Sequence, residues 1–296
     1  MKYEKIEEIS IPSNATVSVK EMGNIIEITY NSNYNSKPQT IKLSSKEYLV
    51  IRTGEVKEYE RKAKNRSQSI ESMQKTMNKI KELVQTNITD AKKVRWCTLT
   101  YANNMKDAKQ LYNDFRKFNQ RFQRYLKNRS VSKAEYICVI EPQERGAWHC
   151  HVLYIFKENA PYISNKCFSQ IWGKGFTKIT KIENVTNVAI YLMAYLSDWE
   201  IPLETKDMYI EKDVKEVVVK GEKKAFIKGR RLILYPSGIN IVRHSRGVKY
   251  PEVKRMNVQE AEKLIANKIK TYQTSFKLSN ECGYTTTIIK NEYRKI

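Results

Sequence analysis

The sequence predicts an α+β fold organised around a central antiparallel sheet. β-prone runs at 94–101 (VRWCTLTY), 134–141 (AEYICVIE) and 148–156 (WHCHVLYIF) are rich in branched and aromatic residues. The turn-forming link Pro142-Gln143-Glu144-Arg145-Gly146-Ala147 lets the second and third runs fold back as a hairpin. Apolar residues at helical spacing flank these runs, giving the order strand, helix, hairpin, helix, strand, helix. Helices are expected to cover one face of the sheet.

Residues 1–65 read as an N-terminal β accessory module. Val17 and Val19 alternate with polar residues, Met22-Gly23-Asn24 makes a turn, and Ile26, Ile28 and Tyr30 alternate again. Ile41 with Leu43, then Tyr48 to Ile51, give two further short strands before the turn at Thr53-Gly54.

Residues 66–254 form the main domain. It opens with a helix that sets Ile70, Met73, Met77, Ile80 and Val84 on one face. After the 94–101 strand, a helix from Asp107 to Leu126 carries the stripe Leu111, Phe115, Phe118 and Phe122. That stripe reads as core packing rather than as a base-stacking surface. Ser164 to Trp172 is helical and stops at Gly173, Phe176 to Ile182 resumes a strand, and Asn184 to Ser197 is again a helix. Beyond residue 200 the periodicity weakens. Lys215–Val219, Arg231–Tyr235 and Ile239–His244 read as strands, with Pro236-Ser237-Gly238 as a turn.

Residues 255–296 form a C-terminal helix and tail. Asn257 followed by Glu260 resembles a capping box, opening a helix with Val258, Ala261, Ile265 and Ile269 inward. The last twenty residues are polar and mixed, with little to hold them.

Across 296 residues, 54 Lys and Arg against 32 Asp and Glu leave a formal charge of +22. An excess of that size points to a polyanion, nucleic acid before an anionic membrane. No segment approaches 18 apolar residues, and no lipidation motif or basic amphipathic anchor stands out. Two basic clusters are candidate phosphate contacts: Arg61, Lys62, Lys64 and Arg66, and Lys223, Lys224, Lys228, Arg230 and Arg231. Either could equally be a solvated face. Five unpatterned cysteines and an N-terminus without a hydrophobic signal core fit a reducing cytoplasm.

Two of the three histidines sit one residue apart, in Trp148-His149-Cys150-His151. On a strand, residues i and i+2 share a face, so His149 and His151 project together while Cys150 points away. In the hairpin Glu141 lies across from or diagonal to His149. Two imidazoles and a carboxylate make a metal site. No CxxC occurs, so an open catalytic site is preferred over a closed structural one. Such a set suits Mg²⁺ or Mn²⁺ at work, although Zn²⁺ would also bind. On the last helix Tyr191 and Tyr195 stand at i, i+4 and so share a helical face. An ordinary amphipathic helix with Ile190, Leu192, Met193 and Leu196 inward explains the apolar residues without requiring two tyrosines.

Taken together, these residues resemble the HUH endonucleases: rolling-circle replication initiators, relaxases and related transposases. Glu141 with Gly146-Ala147-Trp148-His149-Cys150-His151 looks like the family's motif II, Trp96-Cys97-Thr98-Leu99-Thr100-Tyr101 like motif I, and Tyr191-Leu192-Met193-Ala194-Tyr195 like motif III. The order of the three resembles replication initiators rather than relaxases, which place their tyrosine before HUH. The two-tyrosine form resembles phage-type initiators of the gene A kind and related Rep proteins. Motif III often carries a lysine beside the nucleophile; here that position is Ala194.

The resemblance implies a five-stranded ferredoxin- or RRM-like sheet. It also implies a metal-dependent nickase and ligase acting on single-stranded or hairpin origin DNA. His149, His151 and Glu141 would hold Mg or Mn, Tyr191 would attack first, and Tyr195 would act in termination. A relaxase, an HUH transposase and a non-catalytic DNA-binding protein are the alternative readings. No Walker A pattern is present, so a separate helicase, and the polymerase of the host, are expected partners.

Overall fold

The computed structural model describes residues 2–33, 40–44, 46–59, 63–143, 145–182, 188–201, 203, 214–219, 222–227, 229–279 and 284–295. In chain order the elements are β1 (Lys2–Ile6), β2 (Thr16–Met22), β3 (Ile25–Asn31), β4 (Thr40–Lys42), β5 (Glu47–Val50), β6 (Val56–Glu58), α1 (Ile70–Asn87), β7 (Val94–Thr100), α2 (Ala108–Lys127), β8 (Glu135–Pro142) and β9 (Trp148–Ile155). They continue as α3 (Asn165–Trp172), β10 (Thr177–Lys181), α4 (Val188–Ser197), β11 (Trp199–Ile201), β12 (Val214–Val219), β13 (Glu222–Ile227), β14 (Val242–His244), β15 (Glu252–Asn257), α5 (Val258–Ile265), β16 (Lys268–Ser279) and β17 (Thr285–Lys295). The fold is α+β with antiparallel sheets, and it divides into two compact units: 1–62 with 251–296, and 63–250.

The first unit is built on a six-stranded sheet in the order β1-β16-β17-β3-β2-β15, beside a three-stranded β4-β5-β6 meander. Val17, Val19, Ile26 and Ile28 alternate onto one face and pack with Val258 and Ala261 of α5. Asn257 caps that helix, its side chain accepting from the Glu260 N–H at 2.8 Å.

Two expectations for the C-terminal segment are corrected here. Ile269 does not continue the helix but lies on β16 with its side chain exposed. The final residues are not a loosely held tail: β17 is an interior strand, paired with β16 on one side and β3 on the other. Threonine, isoleucine and tyrosine in TTTIIKNEYRK fit a strand, and ladder hydrogen bonds on both edges hold a segment too polar for a core of its own.

The second unit carries a five-stranded sheet, β10-β7-β9-β8-β14, antiparallel throughout. β9 is its middle strand. Asp107 caps α2 by accepting from the N–H groups of Lys109 and Gln110 at 2.7 and 3.2 Å. The α2 stripe is core, as read from the sequence: Leu111, Phe115, Phe118 and Phe122 are all buried. Phe115 and Phe122 meet Tyr136 and Tyr154 of the sheet at centroid distances of 5.1 and 4.6 Å.

Helices were expected on one face of this sheet only, yet both faces are covered. Ile137, Val139 and Leu153 are as deeply buried as Cys138, Cys150 and Val152, which alternate to the other side. β8 and β9 read as near-continuous apolar runs for that reason, since a strand buried on both faces loses its alternation. α4 packs against α1 and reaches β8, with Val188, Ala189, Leu192 and Leu196 buried.

The expected strand over Arg231–Tyr235 is instead a short 3-10 helix, Arg230–Leu234. Gly229 takes the left-handed conformation (φ 68°) and turns the chain into it. Tyr235 is fully buried, its hydroxyl donating to the Ile140 carbonyl at 3.3 Å. The next strand is shorter than expected, beginning at Val242 rather than Ile239.

Candidate active site

The site is built on the β8–β9 hairpin and the neighbouring strand β7. Register pairs Glu141 with His149 across the hairpin, and His149 with Thr100 on β7. One row along, Val139, His151 and Thr98 align in the same way. Paired residues share a face, so the two histidines and the glutamate stand together. Cys150 belongs to the opposite face and is fully buried in the core. The connecting turn closes through Gln143 N–H to Ala147 O at 2.7 Å and Gly146 N–H to Gln143 O at 2.8 Å. Gly146 has φ 80°, a conformation glycine adopts without a Cβ penalty. Glu144 lies outside the described residues.

His151 is buried, and its Nε2 lies 2.5 Å from Glu141 Oε2. Its Nδ1 faces Thr98 Oγ1 at 3.4 Å, so the ring is oriented from both sides. The other carboxylate oxygen of Glu141 accepts from Arg231 Nη1. Burial alone would raise the Glu141 carboxyl. The hydrogen bond and charge of His151, with the charges of Arg231 and His149, outweigh it and hold the group below the ordinary carboxylate range.

His149 is different. Its ring runs beside that of His151, 6.2 Å between centroids and 29° apart in plane. Nδ1 and Nε2 are both buried, and neither has a hydrogen-bond partner. Burial pushes its pKa down to about 4; Glu141 opposes the shift, while the charges of His151, Arg231 and Arg145 add to it. The imidazole is therefore neutral near physiological pH, the form that binds metal. A buried ring with two orphaned nitrogens costs free energy unless something completes it.

The donor chemistry of Glu141, His149 and His151 fits a divalent cation, and the orphaned nitrogens of His149 point the same way. As the side chains stand, the three do not converge: among the described residues no group of three or more His, Cys, Asp or Glu is placed to hold a metal ion. The cause is visible. Glu141 turns from His149 toward His151 and Arg231.

Tyr191 and Tyr195 lie four residues apart on α4, and their side chains fall outside the described residues. The basic clusters divide. Lys64, Lys223 and Arg230 are exposed. Arg66 is committed to Ser72 and the Ile239 carbonyl, and Arg231 to the site itself. Arg61, Lys62 and Lys228 lie outside the described residues, as does the side chain of Lys224. Sequence reasoning placed Arg231 only in a phosphate-binding run. A lone arginine ninety residues from its carboxylate gives no periodic signal, and its role emerges only from tertiary contact.

A family model described as replication-associated protein ORF2/gene 2 protein matches residues 94–200. That stretch contains β7, α2, the hairpin, α3, β10 and α4, and so Glu141, His149, His151, Tyr191 and Tyr195. The match supports a role in DNA replication. No curated protein and no solved structure matches the chain. Among the described residues, no helix is long and apolar enough to cross a membrane.

Proposed function

We propose that this chain is a rolling-circle replication initiator of the HUH type, a site-specific DNA nickase and strand transferase. The observation that carries the proposal is His149: a neutral, buried imidazole without a partner, opposite Glu141 on the middle of the sheet, inside the stretch that matches the replication-associated family.

Glu141, His149 and His151 would hold Mg²⁺ or Mn²⁺. Bound there, the cation supplies polarisation of the scissile phosphate and offsets the charge that develops on it. Thr98 and Glu141 fix the His151 ring, leaving His149 as the donor with no competing hydrogen bond.

Tyr191 is the nucleophile of the first step. Its phenolic oxygen bonds to phosphorus and the P–O3′ bond breaks. The departing 3′ oxygen gains a proton, balancing the one lost by the phenol. The products are a 5′-phosphotyrosine and a free 3′-OH that primes synthesis. Tyr195 attacks in termination, while Tyr191 still holds the first 5′ end. The partners proposed are single-stranded or hairpin origin DNA, a separate helicase and the host polymerase, in the cytoplasm. A charge of +22 provides the general attraction for the phosphate backbone.

The test is nicking of a supercoiled plasmid carrying the element's own origin, with Mg²⁺, Mn²⁺ or EDTA. Relaxation with either metal and none with EDTA is expected. Tight binding without nicking under any metal would favour a non-catalytic DNA-binding protein.

A further inference from the structure

We infer that Arg231 is the resident counter-cation of Glu141, which a divalent metal must displace, and that its second attachment ties that exchange to the end of the tyrosine helix. The inference rests on the proposed metal site. Three contacts define it. Arg231 Nη1 donates to the Glu141 carboxylate and, at 3.4 Å, to the Pro142 carbonyl, while Nε donates to the Asp198 carbonyl at 3.2 Å. Asp198 directly follows α4, and its carboxylate accepts from Ser197 Oγ at 2.8 Å and from the Gly229 N–H at 2.9 Å. The turn that delivers Arg231 and the terminus of α4 therefore form one hydrogen-bonded unit.

Glu141 is almost wholly buried, and its two oxygens are shared between His151 and Arg231. A metal taking this carboxylate would meet a fixed positive charge in hydrogen-bond contact with the same group, and like charges at that range oppose one another. Arginine cannot step aside by losing a proton, so the guanidinium has to move. Once released it is a planar, forked donor suited to a phosphate, attached beside the helix that carries both tyrosines. Metal binding and the position of the α4 terminus are then coupled through a single side chain.

Two cations competing for one carboxylate give a signed prediction. Arg231→Gln binds Mn²⁺ on the order of tenfold more tightly than the wild type, by calorimetry or by loss of the free Mn²⁺ EPR signal. Its metal-free melting temperature falls while the rise on adding Mn²⁺ grows. Arg231→Lys, which keeps the charge, stays closer to the wild type in both. Unchanged or weaker Mn²⁺ binding by Arg231→Gln, with His149→Ala abolishing binding, would overturn the inference and leave the metal site standing. Mn²⁺ binding unaffected by His149→Ala would overturn the metal site itself, and the inference with it.

Discussion

Glu141 and His149 stand directly opposite one another across the β8–β9 ladder, yet share no hydrogen bond. The carboxylate turns to His151 and Arg231, and the His149 ring is left buried without a partner. A structural core would not keep such an arrangement for stability. It is the disposition expected of donors that another group completes.

Replacing His149 by leucine removes two unsatisfied buried nitrogens from an apolar surrounding. The expected result is stability unchanged or raised by about 1 kcal/mol in urea denaturation, with nicking abolished and DNA binding largely retained. A loss well beyond that figure would mark His149 as a packing residue.

Glu141→Gln acts in the opposite sense. It leaves Arg231 without its charged partner and weakens the hold on His151, so a loss of roughly 3 kcal/mol is expected on thermal unfolding, together with weakened metal binding. Glu144→Gln, in the hairpin turn by sequence, should change metal binding far less. Equal effects of the two substitutions on calorimetric Mn²⁺ affinity would contradict the ligand assignment.

The turn after α3 supplies a third prediction. Gly175 has φ +149°, and a Cβ there would lie 2.4 Å from Ala102 N and 2.5 Å from Thr100 O. Both are backbone atoms and cannot swing away. Gly175→Ala should cost more than about 2 kcal/mol. Because Thr100 is the register partner of His149, metal affinity should fall as well. A variant with normal stability would show that the β7 end yields easily.

How much of this was legible in the sequence follows from where each signal is local. The hairpin, the shared face of His149 and His151, and the register of Glu141 rest on a period of two and a short turn. The α2 stripe rests on helical spacing. The β17 strand, the two-sided burial of the sheet and the 3-10 helix at Arg230–Leu234 depend on partners distant in sequence. Thr and Lys in β17 look like a polar tail until β3 and β16 are beside them. Likewise nothing near Arg231 announces Glu141.

The charge excess predicts strong salt dependence. Affinity for a single-stranded oligonucleotide should fall steeply between low and physiological salt, with a log–log slope set by the number of phosphates contacted. Removing exposed Lys64, Lys223 or Arg230 should lower that slope, each by roughly one or less. Arg66→Ala should act mainly on stability, because its guanidinium is already bound to Ser72 and Ile239. Affinity that does not change with salt would make the charge incidental.

The central claim is a covalent protein–DNA intermediate on α4, and mass spectrometry of the peptide cross-linked to a suicide oligonucleotide tests it most directly. The expected adduct is a 5′-phosphate ester on Tyr191, largely lost in Tyr191→Phe. Tyr195→Phe should still form it but fail in strand transfer between two sites. Phenylalanine keeps the ring and deletes only the nucleophilic oxygen, so folding should be preserved in both. An adduct found only on Tyr195 would exchange the two roles within the same chemistry. An adduct on neither tyrosine, from protein that binds the oligonucleotide and Mn²⁺, would contradict the account.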